Sequence, residues 1–166
     1  AVPPGYTAPL FPPAGIALAA LLVHGRRCLF GIFAGSLAVQ IVAATQSGFA
    51  DAVWPMLLLP AIGAVLQGAF GHWLAGRLLG PDNPLDSHES IIRFVFVIAP
   101  VGCLVGPTLG TLALSLMGGV ASDDSAFVWM NWWAGDTLGV LIMVPLLLVF
   151  FGLPASEWRS RRLTVS

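Results

Sequence analysis

One carboxylate stands out for where it lies. Asp136 sits inside the apolar run from Trp129 to Pro145, a segment of helix length. An acidic residue near a membrane centre costs roughly 2.5–3.5 kcal/mol on insertion scales, so such an acid needs donors around it. On a helix, Trp129, Trp132, Trp133, Asp136, Gly139, Val140 and Met143 fall at i, i+3, i+4 and i+7 spacing and share one face. Gly135 and Gly139 form a small-x-x-x-small pair, which lets another helix approach the carboxylate. Two chemistries fit. Asp136 could sense a ligand or a proton inside a helix bundle, with Trp132, Trp133, Asn131 and Trp129 beside it. It could equally be a structural acceptor for donors on a neighbouring helix, and the spacing leaves both open. The tryptophans and Asn131 also suit an aromatic belt at the outer interface.

Other reactive residue types form no comparable constellation. Cys28 and Cys103 lack C-x-x-C spacing and suggest neither a disulfide nor zinc. His72 lies in an apolar stretch with no Cys, Glu or second His at i+3 or i+4, so no metal site is expected. There is no G-x-S-x-G, no H-E-x-x-H, no phosphate loop and no nucleic-acid patch, and neither a cofactor nor catalysis by this segment is expected. Gln40 and Gln67 are polar residues within apolar stretches, read as hydrogen-bonding between helices in preference to touching a ligand.

The elements that must position Asp136 are apolar helices. Of the 166 residues 57% are hydrophobic and 9% charged, and the mean hydropathy is +0.89. A soluble domain is about 25% charged, so the composition describes an all-α, polytopic transmembrane helix bundle whose partner is the lipid bilayer. The pattern predicts about five spans, over residues 10–24, 28–45, 53–79, 90–117 and 126–151, in one partial integral-membrane domain covering 1–166. Residues 1–9 are a proline-rich lead-in. Pro12, Pro13 and Gly15 form a helix-start motif, and the short first span implies a start at membrane depth. The second span carries Gly31 and Gly35 as a packing pair, and Trp54-Pro55 opens the third. The fourth holds Pro100 and Pro107 with Gly102, Gly106 and Gly110 at four-residue intervals, which predicts a broken or kinked, closely packed helix.

Charge sets the expected orientation. All seven basic residues are arginines: Arg26, Arg27, Arg77, Arg93, Arg159, Arg161 and Arg162. Alternation from a cytoplasmic Arg26-Arg27 turn puts every one of them inside and leaves only Asp51, Asp123 and Asp124 in the outer loops, a positive-inside pattern. The C-terminus is then cytoplasmic, with Trp158-Arg159-Ser160-Arg161-Arg162 as an interfacial anchor. The chain opens at Ala1 without methionine or a basic-then-apolar leader, so a piece of a longer protein is expected, with an earlier helix and later spans missing.

Two motifs carry a family resemblance. Phe11-Pro12-Pro13-Ala14-Gly15-Ile16-Ala17-Leu18-Ala19, followed by Gly25-Arg26-Arg27 and Gly31-Ile32-Phe33-Ala34-Gly35-Ser36, resembles W-P-P-A-G-I-A-L-A … G-R-R … G-x-x-x-G-S, with Phe11 in place of the usual Trp. Trp132-Trp133-Ala134-Gly135-Asp136-Thr137-Leu138-Gly139-Val140-Leu141 … Pro145-Leu146 resembles W-W-x-G-D-x-x-G-V-L … P-L. Together they resemble the bacterial membrane-associated sensor domains of MASE family type one. The resemblance implies an inner-membrane input module joined to a cytoplasmic output domain in the same chain: a histidine kinase, or a cyclic-di-GMP cyclase or phosphodiesterase. It implies a homodimer too, because such outputs commonly act as dimers. Broken helices and a mid-membrane acid also occur in transporters, and a passive anchor or partner-binding module is the third reading.

Overall fold

The computed structural model describes residues 10–46, 54–79, 87–116, 120 and 122–152. The proline-rich lead-in, the loops around Asp51 and residues 80–86, the side chains of Trp54 and Pro55 and the Trp158–Arg162 anchor lie outside the described residues. Within them the protein is an all-α bundle, with α1 Pro12–His24, α2 Leu29–Gln46, α3 Trp54–Leu78, α4 His88–Arg93, α5 Ala99–Gly102, α6 Val105–Leu116 and α7 Ser125–Leu147. A π-helical segment, Phe94–Ile98, joins α4 to α5.

Among the described residues four helical stretches are long and apolar enough to cross a membrane: Pro12–Val42, Leu57–Leu78, His88–Leu116 and Ser125–Phe151. The first is doubled back and contains both α1 and α2. Gly25 adopts φ 73, a left-handed conformation that suits glycine, and a tight turn over Gly25–Cys28 follows. The Cys28 thiol comes to 3.6 Å from the Ala20 carbonyl. A continuous helix would separate those residues by about 12 Å. The count is four beside the five expected segments because α1 and α2 join in one stretch; α1, at 13 residues, is too short to cross a hydrocarbon core of about 30 Å alone.

The contacts show how α1 is placed. The Phe11 N–H donates to the Gly135 carbonyl at 3.0 Å, level with the middle of α7. Gly15 lies against Gly139 and Met143, and the end of α1 reaches the π-turn that closes α7. So α1 starts halfway along α7 and runs parallel to its second half. Next to it lies α3, with Gly68 facing Leu21 and Gly71 facing Leu18, and the two helices end at the same level, Leu22 and Val23 packing in one cluster with Ala75 and Leu79. A Cβ on Gly15 would collide with the Gly139 backbone, and one on Gly139 with the Phe11 carbonyl. Only glycine permits this approach, and the two backbones pack almost directly on each other.

The interior is built from small and medium side chains. Leu18, Ala19, Ala75, Phe94, Ile98, Val140 and Val144 form one buried cluster. Large apolar residues point outward instead: Phe30, Phe96, Phe127 and Phe151 are well exposed, as expected of helices whose outer surface meets lipid. The second glycine pair differs from expectation. Gly31 and Gly35 are exposed, with nothing within 4 Å of the position a Cβ would take, so they pack against no described part of the chain. The reason is topological: α2 packs chiefly on α3 and leaves its opposite face uncovered.

Candidate functional site

The fourth stretch breaks where its prolines require it. Pro100 has no N–H to offer the Phe96 carbonyl, and the helix widens before it: the Ala99 N–H reaches back five residues to Phe94. Pro107 has no N–H for the Cys103 carbonyl, and its ring would crowd that carbonyl. The helix accordingly stops at Cys103 and restarts at Val105. Leu104 turns its N–H to Val101 at 3.3 Å, which releases the Pro100 carbonyl. The break leaves a free acceptor at the end of α5 and free donors at the start of α6.

α7 meets the first need directly and the second through a side chain of α3. The Trp133 indole N–H donates to the Pro100 carbonyl at 2.8 Å. One turn further on, Asp136 is 3% exposed. Its Oδ2 accepts a bond from Gln67 Nε2 at 2.7 Å. The other end of the same amide, Gln67 Oε1, accepts the Gly106 N–H at 2.7 Å. Gln67 of α3 thus caps the restarted helix and presents its amide to the acid of α7, joining three helices through one side chain. A Cβ on Gly106 would lie 3.3 Å from Asp136 Oδ2, which places the carboxylate against the first turn of α6, where the helix dipole favours negative charge. The second carboxylate oxygen, Oδ1, is buried and has no hydrogen-bond partner.

The remaining candidate residues divide. Trp129 stacks on Trp133, with ring centroids 6.1 Å apart, and donates to the Thr108 hydroxyl at 3.1 Å. The Trp132 ring covers Gly110 so closely that a Cβ there would run into it. Asn131 does not join the group: its amide donates to the Phe127 carbonyl of its own helix at 2.8 Å. The four-residue glycine row serves three different neighbours. Gly102 admits Gly71 of α3, Gly106 admits the Gln67 amide, and Gly110 admits Trp132. Gly135 supplies the carbonyl that receives Phe11, and Gly139 the space for Phe11 itself. Pro12 and Pro13 occupy the first two positions of α1, where they remove donors that would otherwise be unpaired at membrane depth.

Gln67 is the site residue whose partner the sequence could not supply. Its signal was a lone amide in the apolar stretch of α3, which marks a hydrogen bond between helices without naming the other helix. Among the described residues no group of three or more His, Cys, Asp or Glu is placed to hold a metal ion.

A broken span, a helix that begins in mid-membrane and a buried acid shared by three helices define a polytopic helical membrane protein with a polar joint at its centre. The MASE1 family model matches residues 1–165. The chain belongs to the MASE1 family, membrane-associated sensor domains typically found in signalling proteins, which are sensory and not catalytic. No curated protein and no solved structure matches it.

Proposed function

We propose that this domain is the sensory input of a bacterial signalling protein in the inner membrane. It passes a stimulus to a cytoplasmic output domain, a histidine kinase or a cyclic-di-GMP enzyme, beyond its C-terminus. The joint formed by Asp136, Gln67 and Gly106 is the element the stimulus biases. The observation that carries this is the orphaned Oδ1 of a buried carboxylate whose other oxygen fixes the start of α6. A proton or a hydrogen-bonding ligand at that oxygen would change how strongly Asp136 holds Gln67, and with it the seating of α6 against α3 and α7. Input can shift the two packings only by its differential affinity for them.

The test is Asp136→Asn in the full-length protein. Asn still offers an oxygen to Gln67, so insertion and abundance should persist while the output activity no longer follows the stimulus. Unchanged signalling over the full range of stimuli would remove Asp136 from the sensing role. A transporter is the second reading, favoured by a restarted helix with an acid at its N-terminus. Substrate flux into liposomes containing the complete protein would establish it, and its absence would leave the sensor.

A further inference from the structure

The doubled-back pair α1–α2 creates a second feature, remote from Asp136. A cleft of about 410 Å³ opens beside the Gly25–Cys28 turn. Leu21 and Arg26 line it from one side, and His72, Trp73 and Arg77 of α3 from the other. It is not filled from α3 because Gly76, which also lines it, has no side chain and open space where one would be.

The lining is rich in donors and poor in acceptors. Arg26 and Arg77 are both exposed, and among the described residues neither has an acid as an ion-pair partner. The Arg77 guanidinium lies over the Trp73 ring, 5.3 Å from its centroid, which holds it at the cleft wall. Two guanidinium groups around one opening match the oxygens of a phosphate ester. The surroundings are apolar: Trp73 is 52% exposed, Leu66 48% and Phe30 80%, on the flanking α2 and α3. The cleft lies where α1 ends and α3 completes its last turn, at the border of the apolar spans. A ligand that fits has an anionic head at that level and apolar chains along the helices.

We propose that this cleft binds the phosphate headgroup of an anionic phospholipid, with its acyl chains lying against α2 and α3. The headgroup bridges Arg26 and Arg77 and so ties the α1–α2 turn to the end of α3. Nothing in this depends on what Asp136 does, so either reading can fail while the other stands.

The experiment is native mass spectrometry of the full-length protein released from mixed phosphatidylglycerol and phosphatidylcholine nanodiscs. The wild type should retain phosphatidylglycerol over phosphatidylcholine by about thirtyfold, the size expected of two arginines at a membrane surface. Arg26→Gln with Arg77→Gln should reduce that preference to near parity. Arg27→Gln, in the same turn but outside the cleft lining, should leave it intact. Equal retention of both lipids by the wild type, or an equal loss in the Arg27 variant, overturns the proposal. Thermal stabilisation by inorganic phosphate alone, matching that by phosphatidylglycerol, also overturns it and assigns the cleft to a free anion.

Discussion

Two helices of this bundle begin inside the apolar layer, and they satisfy their first amides by opposite means. Every helix start leaves N–H groups unpaired, and in lipid each one costs several kcal/mol. At α1 the solution is made of backbone. Pro12 and Pro13 have no N–H, Ala14 donates to the Phe11 carbonyl at 3.2 Å, and Phe11 donates to Gly135 at 3.0 Å. At α6 the solution is made of side chains. Gly106 donates to Gln67, and Gln67 donates to Asp136, each at 2.7 Å. The first joint can be undone only by moving α1 off α7, whose backbones touch at Gly15 and Gly139. The second can be undone by rotating one amide or changing the charge of one acid. A protein with one fixed and one adjustable joint in its middle has a place to respond without coming apart.

Substitutions can break or sharpen this contrast, and the largest effect belongs to the fixed joint. Gly139→Leu puts a side chain where the Phe11 backbone lies. It should cost on the order of 3 kcal/mol or more, above ordinary overpacking because backbone cannot give way. The measurements are thermal unfolding in detergent and loss of a disulfide cross-link engineered between α1 and α7. If Gly139→Leu is tolerated, α1 is not locked to α7 and the contrast fails.

Next in size is Gln67→Leu. It leaves the Gly106 N–H and Asp136 Oδ2 without their recorded partner at once, at about 1–3 kcal/mol for each buried group left unpaired. Combined with Asp136→Leu, the two losses should fall short of additive by about 1 kcal/mol or more, because the residues act as one unit. Strict additivity in a double-mutant cycle would show that Gln67 and Asp136 are independent.

Trp133→Phe removes the indole N–H on the Pro100 carbonyl and keeps a smaller ring against Trp129. It should lower stability by about 1 kcal/mol, and hydrogen exchange should quicken around residues 100–106 ahead of α1. The smallest effect is expected at Glu89→Gln, which leaves the bond from Arg93 to the Leu78 carbonyl in place. This removes the exposed charge pair of Arg93 and Glu89, whose side chains are 47% and 74% accessible. Such a pair is worth at most about 0.5 kcal/mol, and a thermal shift comparable to that of Trp133→Phe would mean the pair is misjudged.

Several of these features are written locally in the chain. The prolines at 100 and 107 lack the N–H a helix needs, so a broken fourth stretch follows from the sequence wherever that stretch packs. Pro12 and Pro13 announce a helix start, and the apolar length that follows is too short for a full crossing. Asp136 marks itself by being an acid in an apolar run. The helical spacing that put Trp129, Trp132, Trp133 and Asp136 on one face also holds. Asn131 breaks from the group because one face of a helix is about 100° wide and its neighbour in sequence points elsewhere. Gly31 and Gly35 repeat the spacing of Gly135 and Gly139, yet only the latter pair meets another helix here. Small residues permit close approach without requiring it.

By itself the sequence determined the class of the molecule, the places where its helices must start and stop, and the acid in need of shelter. These depend on hydropathy, on proline's missing donor and on residue spacing, all properties of contiguous chain. Only the tertiary structure decided that Gln67, 69 positions away from Asp136, supplies the donor, that α1 lies parallel to the second half of α7, and that Arg26 and Arg77 face one cleft. Those facts depend on which helix lies beside which, and helices whose outer surfaces are uniformly apolar carry little in their own pattern to choose a neighbour.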